Sequence, residues 1–124
     1  MKTLRQHHIS FKNAFAGVMW CIKTQPNFRV HIVLSFAAIA LGLYLRIATT
    51  EMAVIFFTIL LGLSGEMINT ALESMTDLIT TEWREPAKIA KDVSAGMMLV
   101  IAMGAVLIAL FIFGPYLRLR LGIF

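Results

Sequence analysis

Between Glu66 and Asp77 stand five polar residues with the types and spacing to do chemistry. Glu66, Asn69, Thr70, Glu73 and Asp77 fall at i, i+3, i+4, i+7 and i+11, so a helix of 3.6 residues per turn lines them along one stripe. Met67, Ile68, Leu72 and Met75 take the opposite face. An ionisable group at the inner end of an apolar helix costs a few kcal/mol on insertion scales, which makes a functional site the default reading. A phosphoryl transfer needs a base near the accepting hydroxyl, an oxygen ligand for magnesium and a cation to offset phosphate charge. Glu66, Glu73 and Lys91 can supply these three in turn. The plainer reading is a helix leaving a bilayer with its carboxylates in water, and for Glu73 and Asp77 alone it stands on equal terms. Glu66 resists it, being one turn past Leu63 with Asn69 beside it.

The elements that must position these residues are membrane-like. The chain has 124 residues, 59% of them hydrophobic, and a mean hydropathy of +0.81, against roughly 45 to 50% apolar content in soluble domains. A soluble core of this size cannot hide so much apolar surface. The net charge of +4 does not point to nucleic acid, because the basic residues flank apolar runs instead of forming a patch with interleaved aromatics. Anionic lipid headgroups are the expected partner. Cys21 is the single cysteine, which excludes an intrachain disulfide and a cysteine metal cluster. The first 30 residues lack the apolar core and small-residue site of a cleavable signal peptide, so the spans themselves are expected to drive insertion.

In chain order, a short basic tail leads to Ser10, a possible N-cap. Its adjacent His7 and His8 point to different sides of any helix or strand and make a weak metal pair. Over residues 10–25, Phe11, Ala14, Phe15, Val18 and Ile22 recur at helical spacing with Lys12, Asn13 and Lys23 largely off the stripe. An amphipathic helix lying in the membrane interface is the expectation, and a buried packing helix is its alternative. Pro26 breaks that helix, and Asn27 can cap the next. Residues 28–47 form the first expected span, provided Arg29 and Arg46 snorkel. Thr49 or Thr50 can cap a second span over residues 50–77, long enough to project beyond the hydrocarbon. In it Gly62, Ser64 and Gly65 would admit a close neighbour just before Glu66. A loop is expected over 78–91, then the clearest span over 92–113, ended by Gly114-Pro115, and a tail over 114–124. Three spans put the N-terminus and the Asp77 to Asp92 loop on one side with Lys2, Arg5, Lys12, Lys23, Arg29, Arg84, Lys88 and Lys91. Arg46, Arg118 and Arg120 take the other side. The positive-inside rule turns the acidic stripe toward the cytoplasm, where ATP is.

Neither GxxxxGK nor GxGxxG occurs, which excludes a water-soluble kinase fold and leaves helix ends to hold any nucleotide. A small oligomeric transporter, with Glu66 carrying protons, also accounts for three spans and a membrane-edge carboxylate. It gives no reason for Glu73 at i+7 or for Lys91-Asp92 after a short loop. A purely structural membrane protein is a third reading.

The segment Glu66-Met-Ile-Asn69-Thr70-Ala71-Leu-Glu73-Ser-Met-Thr-Asp77, with Ala87-Lys88-Ile89-Ala90-Lys91-Asp92-Val-Ser-Ala95-Gly96 after it, resembles the signature of the prokaryotic diacylglycerol kinase family. That pattern is E-x-x-N-[ST]-A-x-E-x-x-x-D followed by A-K-D-x-[AG]-[AS]-[AG]. The runs Asn27 to His31 and Ser10 to Gly17 are similar to its undecaprenol kinase branch, and the resemblance covers about residues 10 to 116. It implies an all-α integral membrane protein with an N-terminal amphipathic surface helix and three transmembrane helices, in the bacterial cytoplasmic membrane. It also implies a homotrimer with sites shared between neighbours, ATP and Mg2+, and transfer of the terminal phosphate to a lipid alcohol. Undecaprenol is the first expectation for that alcohol, and diacylglycerol the alternative. By the same resemblance Glu66 is the catalytic base, supported by Asn69 and Thr70. Glu73 and Gln25 take metal-binding positions, and Lys91, Asp92, Glu73, Gln25, Glu82, Trp83 and Arg84 border the nucleotide. Gln25 stands where the family usually has Glu, so one negative charge is missing there, although a neutral amide oxygen still coordinates a hard cation. Asn13 stands where a Tyr is common.

Overall fold

Four helices in sequence make the whole architecture: α1 (Lys2–Thr24), α2 (Pro26–Leu45), α3 (Thr49–Ile79) and α4 (Glu85–Leu121). The structure is a computed structural model and describes the backbone of residues 2–122 and the side chains of residues 9–122. The side chains of His7 and His8 lie outside the described residues.

Three of the helices, α2, α3 and α4, are long and apolar enough to cross a membrane, and the chain is a membrane protein. At a rise of 1.5 Å per residue, α2 with 20 residues is about 30 Å long, close to the hydrocarbon thickness. The 31 residues of α3 and 37 of α4 reach about 46 and 55 Å, so both overrun it. Counted from Thr49, a span of about 30 Å ends before Glu73 and Asp77. Many large side chains, among them Phe36, Phe57, Val100 and Phe111, are exposed in the single chain, as a bilayer permits and water does not.

Several helix boundaries differ from the sequence expectation, each for a local reason. α1 already runs from Lys2, so Ser10 is an interior residue and not a cap. Gln25, in extended geometry, is the N-cap of α2, with Pro26 in the first turn; the fixed φ of proline suits that place and leaves Asn27 inside the helix. α2 ends at Arg46, whose φ of 54° is left-handed, a conformation more usual for Gly or Asn. There the Ile47 N–H donates to the Gly42 carbonyl at 3.1 Å, closing a Schellman-type end. Neither Thr49 nor Thr50 caps α3. Its N-cap is Ala48, whose N–H donates to the Glu51 carboxylate at 2.8 Å, one half of a capping box.

The expected loop over 78–91 shrinks to Thr80–Arg84, because α3 continues to Ile79 and α4 begins at Glu85. Pro86 sits in the first turn of α4, where its missing N–H is not needed. Gly114-Pro115 does not end the last helix either, since α4 runs on to Leu121 and stops at Gly122 with a left-handed φ of 62°. Contacts beyond Pro115 hold that extension in place. The Tyr116 hydroxyl donates to the Glu51 carboxylate at 2.6 Å, the Arg120 guanidinium lies 4.2 Å over the Tyr44 ring, and Ile112 and Phe113 are buried with Leu45 and Ile55. The segment expected to be a tail is part of the bundle, at the end opposite the acidic stripe.

Candidate functional site

The strongest packing in the chain is α3 on α4, and Gly65 sets its closeness. A Cβ on Gly65 would come 2.6 Å from Ile101 Cδ1 and 3.1 Å from Met98 Sδ, so a side chain there would force the ends of these two side chains to shift. One residue on, Glu66 is only 4% exposed. The stripe read from the sequence therefore divides. Glu66, Asn69 and Thr70 are buried, while Glu73 and Asp77 are exposed at the projecting end of α3.

Hydrogen bonds tie the buried part to α4. Asn69 Nδ2 donates to Glu73 Oε1 at 3.2 Å, and Asn69 Oδ1 accepts from the hydroxyl of Ser94, which is 3% exposed. Thr76, one turn past Glu73, spends its hydroxyl on the Leu72 carbonyl at 2.8 Å. Beyond it Lys91 of α4 reaches back to α3, its Nζ 2.6 Å from Asp77 Oδ1.

That ion pair lies in a polar cleft of about 350 Å³ where α3 turns into α4. Three cations line it, and each is paired: Lys91 with Asp77, Lys88 with Asp92, and Arg84 with Glu82 at 2.8 Å. All three pairs are largely open to solvent, where such pairs are worth about 0 to 1 kcal/mol. They can therefore exchange carboxylate for phosphate at little cost. Trp83 completes the wall, 77% exposed, an indole face free to stack on a planar ring. On the other side of Glu66, an apolar groove of about 360 Å³ starts one turn lower, at Gly62 and His31, and runs down between α2, α3 and α4 to Ile55 and Phe113. Along α3, the buried Glu66 thus lies one turn above the apolar groove and nearly three turns below the polar cleft.

The residues singled out in the sequence fall into two groups, and none of the first lines the cleft formed by the second. Glu66, Asn69, Thr70 and Glu73 form the α3 part, and Lys91, Asp92, Glu82, Trp83 and Arg84 form the cleft. Gln25 belongs to neither group. It is half-buried at the joint of α1 and α2, its amide donates to the Thr24 hydroxyl at 3.3 Å, and it does not line the cleft. Among the described residues no three His, Cys, Asp or Glu side chains cluster closely enough to make a metal cage. Magnesium bound with a nucleotide asks for less, one or two carboxylates beside the phosphates and water. Glu73 meets that need, because Asn69 occupies only Oε1 and leaves Oε2 free.

Sequence reasoning gave no role to Lys88, Thr76 or Ser94. For Ser94 a signal was present, since it is the one polar side chain in the run Val93 to Phe113 and lies one turn after Lys91.

Comparison with known proteins identifies the family. The family model for prokaryotic diacylglycerol kinase matches residues 12–113. A diacylglycerol kinase of Synechocystis sp. is 41% identical over 101 residues, which is 81% of this chain and 58% of that protein. An undecaprenol kinase of Bacillus subtilis is 36% identical over 108 residues, 87% of this chain and 88% of that protein. The chain thus spans less than two thirds of the first relative and most of the second.

Proposed function

The chain belongs to the prokaryotic diacylglycerol kinase family, and from that premise we propose that it is an ATP-dependent lipid kinase acting at the cytoplasmic face of the bacterial cytoplasmic membrane. The observation that carries the reading is Glu66, a carboxylate buried between α3 and α4 with an apolar groove below it and a cation-lined cleft above. A lipid alcohol needs that order of environments: its body in the groove, its hydroxyl at Glu66, and the nucleotide outside the hydrocarbon.

In the reaction the Glu66 carboxylate takes the proton of the lipid hydroxyl as that oxygen bonds to the γ-phosphorus. The bond from phosphorus to the β,γ-bridging oxygen breaks, and ADP leaves with that oxygen. Asn69 and Thr70 support the base. Lys91 leaves Asp77 for the phosphates, Arg84 and Lys88 add charge around them, and Trp83 and Glu82 border the base and ribose. Glu73, with Gln25, would hold Mg2+, which would offset charge on the phosphate oxygens. Most of the barrier reduction then comes from positioning and from charge neutralisation.

From the family to which the chain belongs, we infer sites shared between protomers of a homotrimer, with α1 lying amphipathically on the membrane surface. Exposed Phe11 and Phe15 on α1 support that placement. Mixing a Gln25→Ala chain with a Glu73→Ala chain should then restore part of the activity each lacks. No recovery in mixed trimers argues against shared sites.

Undecaprenol is the proposed acceptor, favoured by the relative from Bacillus subtilis, whose length the chain nearly covers. The relative from Synechocystis keeps diacylglycerol as the second reading. Purified protein in micelles, given each lipid and γ-labelled ATP, should label undecaprenol in preference. Glu66→Gln should lower labelling by roughly 10²- to 10⁴-fold without loss of assembly; a Glu66→Gln chain that turns over near the wild-type rate has some other base.

A further inference from the structure

Ser94 is buried at the contact of α3 and α4, where the chemistry described so far does not use it. Its hydroxyl donates to Asn69 Oδ1, and the other end of the same amide donates to Glu73 at 3.2 Å. The order of these groups has a chemical cause. An ionised carboxylate only accepts hydrogen bonds, so the amide must turn its NH2 to Glu73 and its oxygen to α4. That oxygen then needs a donor, and Ser94 provides it. With the amide reversed, two oxygens would face each other across the Asn69–Glu73 gap.

We propose that Ser94 is a positioning residue: it locks the rotation of the Asn69 amide and, through it, fixes which oxygen of Glu73 is free to face a divalent cation beside the nucleotide. Ser94 touches neither nucleotide nor lipid and acts only through Asn69. Two observations make it more than a packing residue. It is 3% exposed, so water cannot take over its bond, and it lies one turn from Met98, whose side chain packs at Gly65, one turn before Asn69. The registry of α4 on α3 is thereby coupled to the orientation of a metal-binding carboxylate. Side chains that orient a ligand by one hydrogen bond typically change metal affinity by roughly 10- to 100-fold when removed.

This inference rests on the kinase reading above, and its test separates the two. Ser94→Ala and wild-type protein in micelles are titrated with Mn2+ in the presence of a non-hydrolysable ATP analogue, and bound metal is followed by electron paramagnetic resonance. The same titration is run for Asn69→Ala and for the double variant Ser94→Ala/Asn69→Ala, and lipid phosphorylation is measured for wild type and Ser94→Ala. The expected result is a roughly tenfold weaker Mn2+ affinity for Ser94→Ala and an unchanged KM for the lipid. In the Asn69→Ala background the Ser94 change should have no further effect. Equal Mn2+ affinity in wild type and Ser94→Ala, with wild-type kinase activity intact, overturns the role of Ser94 and leaves the kinase reading standing. An effect of Ser94→Ala that persists in full without Asn69 also overturns it, because the residue would then be acting by packing. A wild-type protein that binds Mn2+ with the analogue but phosphorylates neither lipid overturns the kinase reading and the inference with it.

Discussion

The two ends of the α3–α4 pair use the same residue types for opposite purposes. At the outer end Glu51 is consumed by structure: a single oxygen, Oε2, accepts both the Ala48 N–H at 2.8 Å and the Tyr116 hydroxyl at 2.6 Å. At the inner end Glu73 gives one oxygen to Asn69 and keeps the other free, and Glu66 is buried with no hydrogen bond to another residue's side chain among the described residues. In both places α4 sends a hydroxyl across to α3, Tyr116 at one end and Ser94 at the other. The difference lies in what the hydroxyl meets. Tyr116 meets the carboxylate itself and fixes it as part of a helix cap; Ser94 meets an amide and leaves the carboxylates available. A carboxylate at a membrane edge is thus a functional candidate only when its lone pairs are not already committed to the backbone.

The comparison breaks first at the two buried or capped glutamates. Glu66→Gln is expected to lower kcat by roughly 10²- to 10⁴-fold, the range of a general base, whereas Glu51→Gln should keep kcat within about twofold of wild type. Labelled-ATP turnover on the same lipid measures both, and similar losses at the two positions would dissolve the distinction. Next in size is Glu73→Gln, which keeps the bond to Asn69 possible but removes a charge. It should raise the Mg2+ concentration needed for half-maximal turnover by about tenfold, equivalent to about 1.4 kcal/mol, with the KM for lipid unchanged.

The outer end should respond in stability and not in rate. Tyr116→Phe removes the hydroxyl that reaches the Glu51 carboxylate and should lower the midpoint of reversible unfolding from mixed micelles, with kcat retained. The smallest effect is expected from Asp77→Asn. The Lys91–Asp77 pair is about half exposed, with side-chain exposures of 43% and 55%, so its loss should change stability by about 0 to 1 kcal/mol. A larger change would mean that the pair holds α3 to α4 and that Lys91 is not free to exchange partners.

Legibility in the sequence follows the range of the interactions involved. The stripe from Glu66 to Asp77, the three apolar spans and the small residue at Gly65 were readable because helical periodicity and apolar run length are local properties. The helix ends were not. Pro115 was expected to end α4 by the local rule for proline, yet Tyr116 on Glu51 and Arg120 on Tyr44 lie 65 and 76 residues apart in sequence, and they sustain the helix beyond it. Thr49 and Thr50 were chosen as caps by residue type, but the orphan N–H belonged to Ala48 and Glu51 could reach it.

By itself the sequence determined that this is a helical membrane chain with carboxylates lined up at the inner end of its second span, because 3.6 residues per turn and transfer free energies act along the chain without reference to anything distant. Only the tertiary structure decided which of those carboxylates is buried, which is committed to a cap, and which hydroxyl of α4 orients the amide between them. That outcome depends on how far α4 is slid and turned against α3, a shift of one residue moving each side chain by about 100° around the axis, and no period in the sequence sets it.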